Sequence, residues 1–258
     1  MPKKNYTSGN PNTKSDFYIE FTPARSGGIK LEIHSKTKLL HGSKLKQIAK
    51  KHNLKIISDS AQSPGAIYKN KYAGTVTDIG GISLNCHKHI QTGEGGVLFT
   101  NNLKLAERMC LIRNHAEVIV QKARISNISN MIGYNFRLGE IECAIGVEQL
   151  KKLKSIIKKR QNFAKKLTSH LSLLKGIKTP VILKDCTHSF YCYAMVLDIK
   201  KLGVSKKKIY DALTAEGVQG LQINFSNVHR LPMFIKKIAY GNKNFPWSYS
   251  RFSKEIKY

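Results

Sequence analysis

One lysine of this sequence, Lys88, differs from the other lysines in its position. It lies between a short apolar segment and a glycine turn, within residues 83–96, away from the lysine-rich helical stretches. A lysine just past a strand is a candidate for covalent chemistry, because its amine forms a Schiff base with a carbonyl such as that of pyridoxal phosphate. These residues alone still favour a solvated lysine in a polar loop.

A second stretch carries a carboxylate at the end of a strand. Residues 54–62 are typical of a buried strand that ends at Asp59. Ligands of open α/β sheets bind at the carboxyl ends of strands. A pyridoxal phosphate site needs a carboxylate facing the ring nitrogen as well as a lysine. Asp59 and Lys88 are therefore candidates for one site.

Several elements must position these two residues. Apolar periodicity, capping residues and glycine or proline breaks indicate alternating helices and strands, which is typical of an α/β protein. The predicted helices are 43–52, a helix capped by Asn102, a long helix over 138–171, and 205–215 capped by Gly217; the predicted strands are 17–21, 54–59, 78–83, 97–100, 191–197 and 218–223, with a hairpin at 68–72. Glycines in the 78–83 strand allow close backbone approach.

Five motifs follow one another along the chain. They are Asp59-Ser60-Ala61-Gln62, Ser83 with Lys88 five residues later, Thr92-Gly93-Glu94-Gly95-Gly96, Arg113-Asn114-His115, and Gly133-Tyr134-Asn135-Phe136-Arg137. In order and spacing, from about Leu40 to about Pro246, the sequence resembles the DegT/DnrJ/EryC1/StrS family of pyridoxal-phosphate-dependent nucleotide-sugar aminotransferases. Several separate motifs in order make this resemblance far more specific than any one of them.

The resemblance implies a fold-type-I α/β architecture. It predicts a large cofactor-binding domain with a mainly parallel sheet over residues 1–145. A smaller C-terminal α/β domain over residues 146–258 would include the long linking helix. In the family a helix, a phosphate-binding turn and a ring-stacking aromatic residue precede the equivalent of Leu40. Because none of these is recognisable here, and the tail is short, the chain is expected to be truncated at both ends.

The resemblance also implies roles for four cofactor-binding residues. Lys88 would form the Schiff base with pyridoxal phosphate and then carry a proton during transfer. Asp59 would hold the pyridinium nitrogen, and Gln62 would lie near the ring. Ser83 would hydrogen-bond the phosphate. The structural alternatives are a helix N-cap for Asp59, a polar loop residue for Gln62 and a strand-end hydroxyl for Ser83.

Two further residues imply a site shared between subunits. Asn135 resembles the family asparagine that reaches the phosphate of the partner subunit's cofactor, and Arg137 is assigned to the same composite site. The protein is therefore expected to be a homodimer. The structural alternative is that both residues belong to a turn that enters the long helix.

Composition restricts the other functional classes. The chain has 258 residues, 41% of them hydrophobic, and a net charge of +28. Such charge suits nucleic-acid binding, but only 8 of the 44 basic residues are arginine, the side chain that base readout favours. No apolar run is long enough for a membrane span, and no secretory signal is recognisable.

Two residue types are assigned no special chemistry. Five scattered cysteines indicate reduced thiols and a cytoplasmic location. His87 and His89 alternate in a loop without further ligands, so we expect polar residues with satisfied hydrogen bonds and no metal site.

The function implied by the resemblance is transfer of an amino group to a nucleotide-linked keto-sugar. Glutamate is the expected amino donor, and the aminated sugar is expected to be used in surface polysaccharide or lipopolysaccharide synthesis. Two alternatives stay open. One is a truncated, inactive relative that dimerises or binds sugar nucleotide. The other, based on charge alone, is a basic nucleic-acid-binding protein.

Overall fold

A computed structural model describes residues 17–23, 29–35, 42–117, 131–223, 227–245 and 247–249. Its helices are α1 (Gly42–Lys51), α2 (Leu103–Arg113), α3 (Glu140–Leu171), α4 (Ile199–Leu202), α5 (Lys206–Ala215) and α6 (Pro232–Ile235). Its strands are β1 (Phe17–Pro23), β2 (Ile29–Ser35), β3 (Ile57–Asp59), β4 (Ile67–Tyr68), β5 (Lys71–Tyr72), β6 (Ile79–Ser83), β7 (Gly96–Phe99), β8 (Ile177–Lys178) and β9 (Val196–Leu197). Within these residues, no helix combines the length and apolarity that crossing a bilayer requires.

Backbone packing divides the described residues into two compact units. The first runs up to Leu167 and includes Pro180–Tyr193, and the second comprises Thr168–Thr179 and the described residues from Ala194 onward. The domain boundary at 145/146 remains a prediction, but the compact units divide near Leu167. The reason is that α3 packs within the first unit: Ile157 and Ala164 are buried on it, and Ile157 lies against Gly65.

The first unit contains a three-stranded sheet with the order β3–β6–β7. β3 and β6 are parallel, with Ile57 opposite Ile79 and Asp59 opposite Gly81, whereas β6 and β7 are antiparallel. This described sheet is mixed rather than mainly parallel. A parallel neighbour needs a long crossover, and β7 instead returns through the loop of residues 84–95.

Asp78 fastens the start of β6 beside β3. Its carboxylate accepts a hydrogen bond from the backbone N–H of Ile56 at 2.9 Å and lies 3.3 Å from the ammonium of Lys55. The hydrogen bond from Ile56 is the main reason why the pKa of Asp78 is lowered, and Lys55 adds to this effect. The hydroxyl of Thr100 also donates to the Asp78 carbonyl, at 2.7 Å, which attaches the end of β7.

The predicted strand ending at Asp59 is present, but it is not buried as expected. Ile57 is 72% exposed on β3 and Leu98 is 60% exposed on β7, and both line an open groove. The buried apolar residues of this unit include Leu84 and Ile90 of the loop after β6 and Leu111 of α2, which are at most 5% exposed. Burial of the loop thus helps to hold Lys88 in place.

Most other elements of the first unit agree closely with the sequence, although β2, which pairs with β1, was not predicted. Helices α1 and α2, the β4–β5 hairpin and strands β6 and β7 form where they were predicted. Asn102 caps α2 by accepting a hydrogen bond from the backbone N–H of Leu105 at 3.2 Å. The long helix is one continuous element, α3.

The second unit contains the antiparallel pair β8–β9 and helices α4 to α6. Helix α5 confirms the predicted helix, with Ser205 as its N-cap and Gly217 at a φ of +84° just beyond its last turn. The predicted strand at 218–223 is wrong, and β9 is shorter than predicted. Gly220 has a φ of +73°, which breaks an extended segment.

Candidate active site

Asp59 and Ser83 end two adjacent strands that run in the same direction. Asp59 is the last residue of β3 and pairs with Gly81, and Ser83 ends β6 two residues later. The backbone N–H of Ser60 donates to the Gly81 carbonyl at 2.8 Å, so the two strands stay paired to their ends. The candidate carboxylate and hydroxyl therefore lie at the same carboxyl edge of the sheet.

The carboxylate of Asp59 is exposed and begins a turn rather than a helix. Its Oδ1 accepts a hydrogen bond from the backbone N–H of Ala61 at 3.0 Å. The residues that follow form turns, so the alternative of a helix N-cap is wrong. Gln62, at the end of this motif, is also exposed. One oxygen of Asp59 orders the turn, and the carboxylate stays accessible at the strand end.

Lys88 lies in a loop that is closed at both of its ends. The N–H of Leu84 donates to the Gly95 carbonyl and the N–H of Thr92 donates to the Leu84 carbonyl, both at 2.9 Å. Inside the loop the N–H of Lys88 donates to the Asn85 carbonyl at 2.9 Å. Lys88 thus lies in the closed loop that follows β6, five residues after Ser83.

The side chain of Lys88 is half-buried, and its Nζ lies 4.6 Å from the centroid of the Tyr191 ring. The next residue, His89, is buried, and its Nε2 lies 2.8 Å from the carbonyl oxygen of Ser189. Because a carbonyl only accepts, the hydrogen of neutral His89 is on Nε2. Burial lowers the pKa of His89, which keeps the ring neutral.

The prediction for the histidines holds only in part. His89 is hydrogen-bonded at Nε2, but its buried Nδ1 has no partner within the described residues. His87 is exposed, and its backbone N–H donates to the Asn85 side chain at 3.1 Å. All five cysteines lie in the described residues and are free thiols.

The sequence did not identify Tyr191 or Ser189 as neighbours of Lys88. Both lie about a hundred residues further along the chain, beyond α3. No motif, periodicity or spacing connects a tyrosine at that distance with a lysine in a loop, so only the folded chain brings them together.

Asn135 and Arg137 lie on the segment that precedes α3. Asn135 pairs through its backbone with Asn114 at the end of α2, and Arg137 donates from Nη1 to the Asn114 Oδ1 at 2.7 Å. Arg137 lines the open groove beside Thr92–Thr100, and that groove is lined by none of the residues Asp59, Gln62, Ser83 and Lys88. The composite site of a dimer remains a prediction.

The chemistry of the strand-end residues fits pyridoxal phosphate. An accessible carboxylate, a hydroxyl and an amine lie at or just beyond the ends of two paired strands. The cofactor requires an acceptor for its ring nitrogen, a hydrogen-bond donor for its phosphate and a lysine for its aldehyde. Asp59, Ser83 and Lys88 carry chemical groups of these three kinds.

The described architecture is part of the fold-type-I aminotransferase fold. A solved structure of Helicobacter pylori PseC, an aminotransferase involved in the biosynthesis of pseudoaminic acid, superimposes with a TM-score of 0.66 at 26% identity. The match covers 82% of this chain and 59% of that structure.

The family follows from the sequence comparison. The model of the DegT/DnrJ/EryC1/StrS aminotransferase family matches residues 31–257, and the chain belongs to this family. The resemblance predicted from the motifs is thereby confirmed.

Two curated relatives have named activities. The chain is 31% identical over 194 residues to the UDP-4-amino-4,6-dideoxy-N-acetyl-beta-L-altrosamine transaminase of Helicobacter pylori, covering 74% of this chain and 50% of that protein. It is 30% identical over 191 residues to the GDP-perosamine synthase of Escherichia coli, and this match covers 74% of this chain and 50% of that protein. The chain spans about half the length of these relatives.

Proposed function

We propose that this chain carries the lysine and carboxylate of a pyridoxal-phosphate-dependent aminotransferase that acts on a nucleotide-linked keto-sugar. The main support is that Asp59 and Ser83 end paired parallel strands, with Lys88 in the closed loop that follows. Family membership supports the same reaction class, and two relatives are named for sugar nucleotides.

Each strand-end residue has a defined task in this reaction. Asp59 accepts a hydrogen bond from the protonated ring nitrogen, and Ser83 donates one to the phosphate. Lys88 would hold the cofactor covalently through Nζ, with the aldehyde oxygen leaving as water, and its free amine would carry a proton during transfer. When bound, the cofactor serves as the electron sink that makes the substrate carbon acidic. Gln62, which lies in the turn that Asp59 orders, is proposed to lie near the cofactor ring.

The finer parts of the proposal concern donor, pathway and assembly. Glutamate is the proposed amino donor, and surface polysaccharide synthesis in the cytoplasm is the proposed setting. Asn135 and Arg137 are proposed to complete the site of a second copy in a homodimer. Both side chains are exposed, and Arg137 lines the open groove beside Thr92–Thr100, which suits residues that serve a partner.

The covalent role of Lys88 is tested by trapping. Purified protein is incubated with pyridoxal phosphate, its visible absorbance is recorded, and borohydride then reduces the imine to a stable amine. Peptide mass spectrometry locates the added mass. We expect one modified peptide, containing Lys88, and no absorbance band in the Lys88→Ala variant.

A matched control separates the site from general lysine reactivity. Lys104 lies exposed on α2 of the same unit, so Lys104→Ala should keep both the band and the trapped peptide. An adduct spread over many lysines, or one that survives in Lys88→Ala, would contradict the proposal. No adduct at all would favour a non-catalytic relative.

A further inference from the structure

We propose that Tyr191 is a positioning residue for Lys88, because its ring holds the ammonium group of the lysine at the carboxyl edge of the sheet. The contact joins the loop after β6 to residues 188–191, a segment of the same compact unit. The mechanistic meaning of this contact rests on the proposed function, but the contact itself can be tested without a cofactor.

The geometry of the pair is that of a cation–π contact. Nζ of Lys88 lies 4.6 Å from the Tyr191 ring centroid, within the range of about 6 Å in which an aromatic ring attracts a cation. Lys88 is half-buried while Cys86 and His87 before it are exposed. The ring therefore limits the positions of a long side chain that would otherwise move freely in solvent.

The segment that carries Tyr191 is itself firmly attached. The four carbonyl groups of residues 188–191 each accept a hydrogen bond from a side chain on another element. The donors are Gln161 to His188 at 3.0 Å, His89 to Ser189 at 2.8 Å, and Arg160 to Phe190 at 2.9 Å and to Tyr191 at 3.3 Å. Helix α3 and the lysine loop thus hold the segment from two directions.

The same segment also reaches the motif after β3. Ser189 is 1% exposed, and its hydroxyl donates to the Gln62 carbonyl at 3.5 Å. The ring of His89 lies 6.2 Å from the ring of Tyr191, measured between centroids. The segment therefore connects the two parts of the proposed site, the turn after Asp59 and the loop of Lys88. This arrangement suits a role for Tyr191 in fixing the position of the Lys88 amine.

The contact is tested in the cofactor-free full chain by labelling lysines with an amine-reactive reagent and following the Lys88 peptide by mass spectrometry. In Tyr191→Leu we expect labelling at neutral pH to be about two to five times faster, the factor that corresponds to a cation–π contact of about 0.5–1 kcal/mol. Tyr191→Phe keeps the ring and should label like the wild type. Tyr72→Leu, which changes an exposed tyrosine of β5, should also label like the wild type.

The pH dependence separates a cation–π contact from simple steric cover. At strongly alkaline pH lysine amines are neutral, so the difference between Tyr191→Leu and wild type should disappear. A difference that persists there, or equal labelling of Tyr191→Phe and Tyr191→Leu at neutral pH, would overturn the proposal. Circular dichroism checks folding, and Tyr191→Met replaces the leucine variant if that variant unfolds.

The trapping assay keeps the two proposals distinguishable. If borohydride traps an adduct at Lys88 equally fast in wild type and Tyr191→Leu, Tyr191 does not position the lysine, although the proposed function stands. If no variant forms an adduct, the proposed function fails, and the labelling rates still decide whether the ring holds the ammonium.

Discussion

Gly80, the second residue of β6, is a position where one added methyl group should have a large effect. A Cβ at this residue would overlap the backbone of Gly74, including its carbonyl oxygen. Backbone atoms cannot rotate away as a side chain can, so either β6 or the turn at Gly74 must move. Gly80→Ala should therefore displace the strand that leads to Ser83 and Lys88. The sequence-based expectation of close backbone approach in this strand is met at Gly80.

The size of the effect follows from two opposing contributions. Overpacking costs about 1–3 kcal/mol, and a clash with backbone belongs at the upper end of this range. Replacing glycine by alanine in a strand returns about 0.5–1 kcal/mol of conformational entropy. The net loss in the free energy of unfolding should thus be about 2 kcal/mol, or about 4–8 °C in Tm for a unit of this size.

The neighbouring glycine provides a matched control. A Cβ at Gly81 would meet the Leu98 side chain at 3.1 Å, and that side chain is 60% exposed and free to shift. Gly81→Ala should therefore be neutral, or stabilise the protein by up to about the same 0.5–1 kcal/mol of conformational entropy, because no backbone clash opposes it. Both variants are compared by thermal unfolding followed by far-UV circular dichroism. Equal stability of the two would refute the argument, as would normal trapping of Lys88 in a destabilised Gly80→Ala variant.

Two further predictions concern titration and capping. Burial lowers the pKa of His89 and His188, and the charges of Arg160 and Lys88 lower that of His89 further, while its carbonyl hydrogen bond opposes this. Below about pH 6.5 the unfolded chain then binds more protons than the folded one, so the stability of the fold should fall as the pH drops. A Tm that stays constant between about pH 7 and pH 5 would contradict this. His89→Asn should make the Tm depend less on pH. Asn102→Ala removes the N-cap of α2 and should cost about 1 kcal/mol in urea unfolding, whereas an unchanged midpoint would show that the cap contributes nothing.

The predictions of a mainly parallel sheet and of a buried strand ending at Asp59 show what local sequence patterns fail to predict. Residues 54–59 are apolar enough for a buried strand, yet Ile57 lies on an open face. Burial depends on what packs against a strand, and the strand's own residues do not contain that information. The missing strand at 218–223 has a similar cause, since extended backbone needs a partner as well as β-forming residues.

The sequence by itself determined the family, most helices and strands of the first unit, the placement of Asp59 and Ser83 at strand ends, and that of Lys88 in the loop after a strand. These features depend on periodicity, capping and motif spacing, which act over short distances along the chain. Only the tertiary structure decided that Tyr191 and Ser189 contact the lysine loop, that side chains of α3 hold the segment carrying them, and that the units divide near Leu167. Such contacts join residues a hundred positions apart, and they arise from the packing of whole elements rather than from any local pattern.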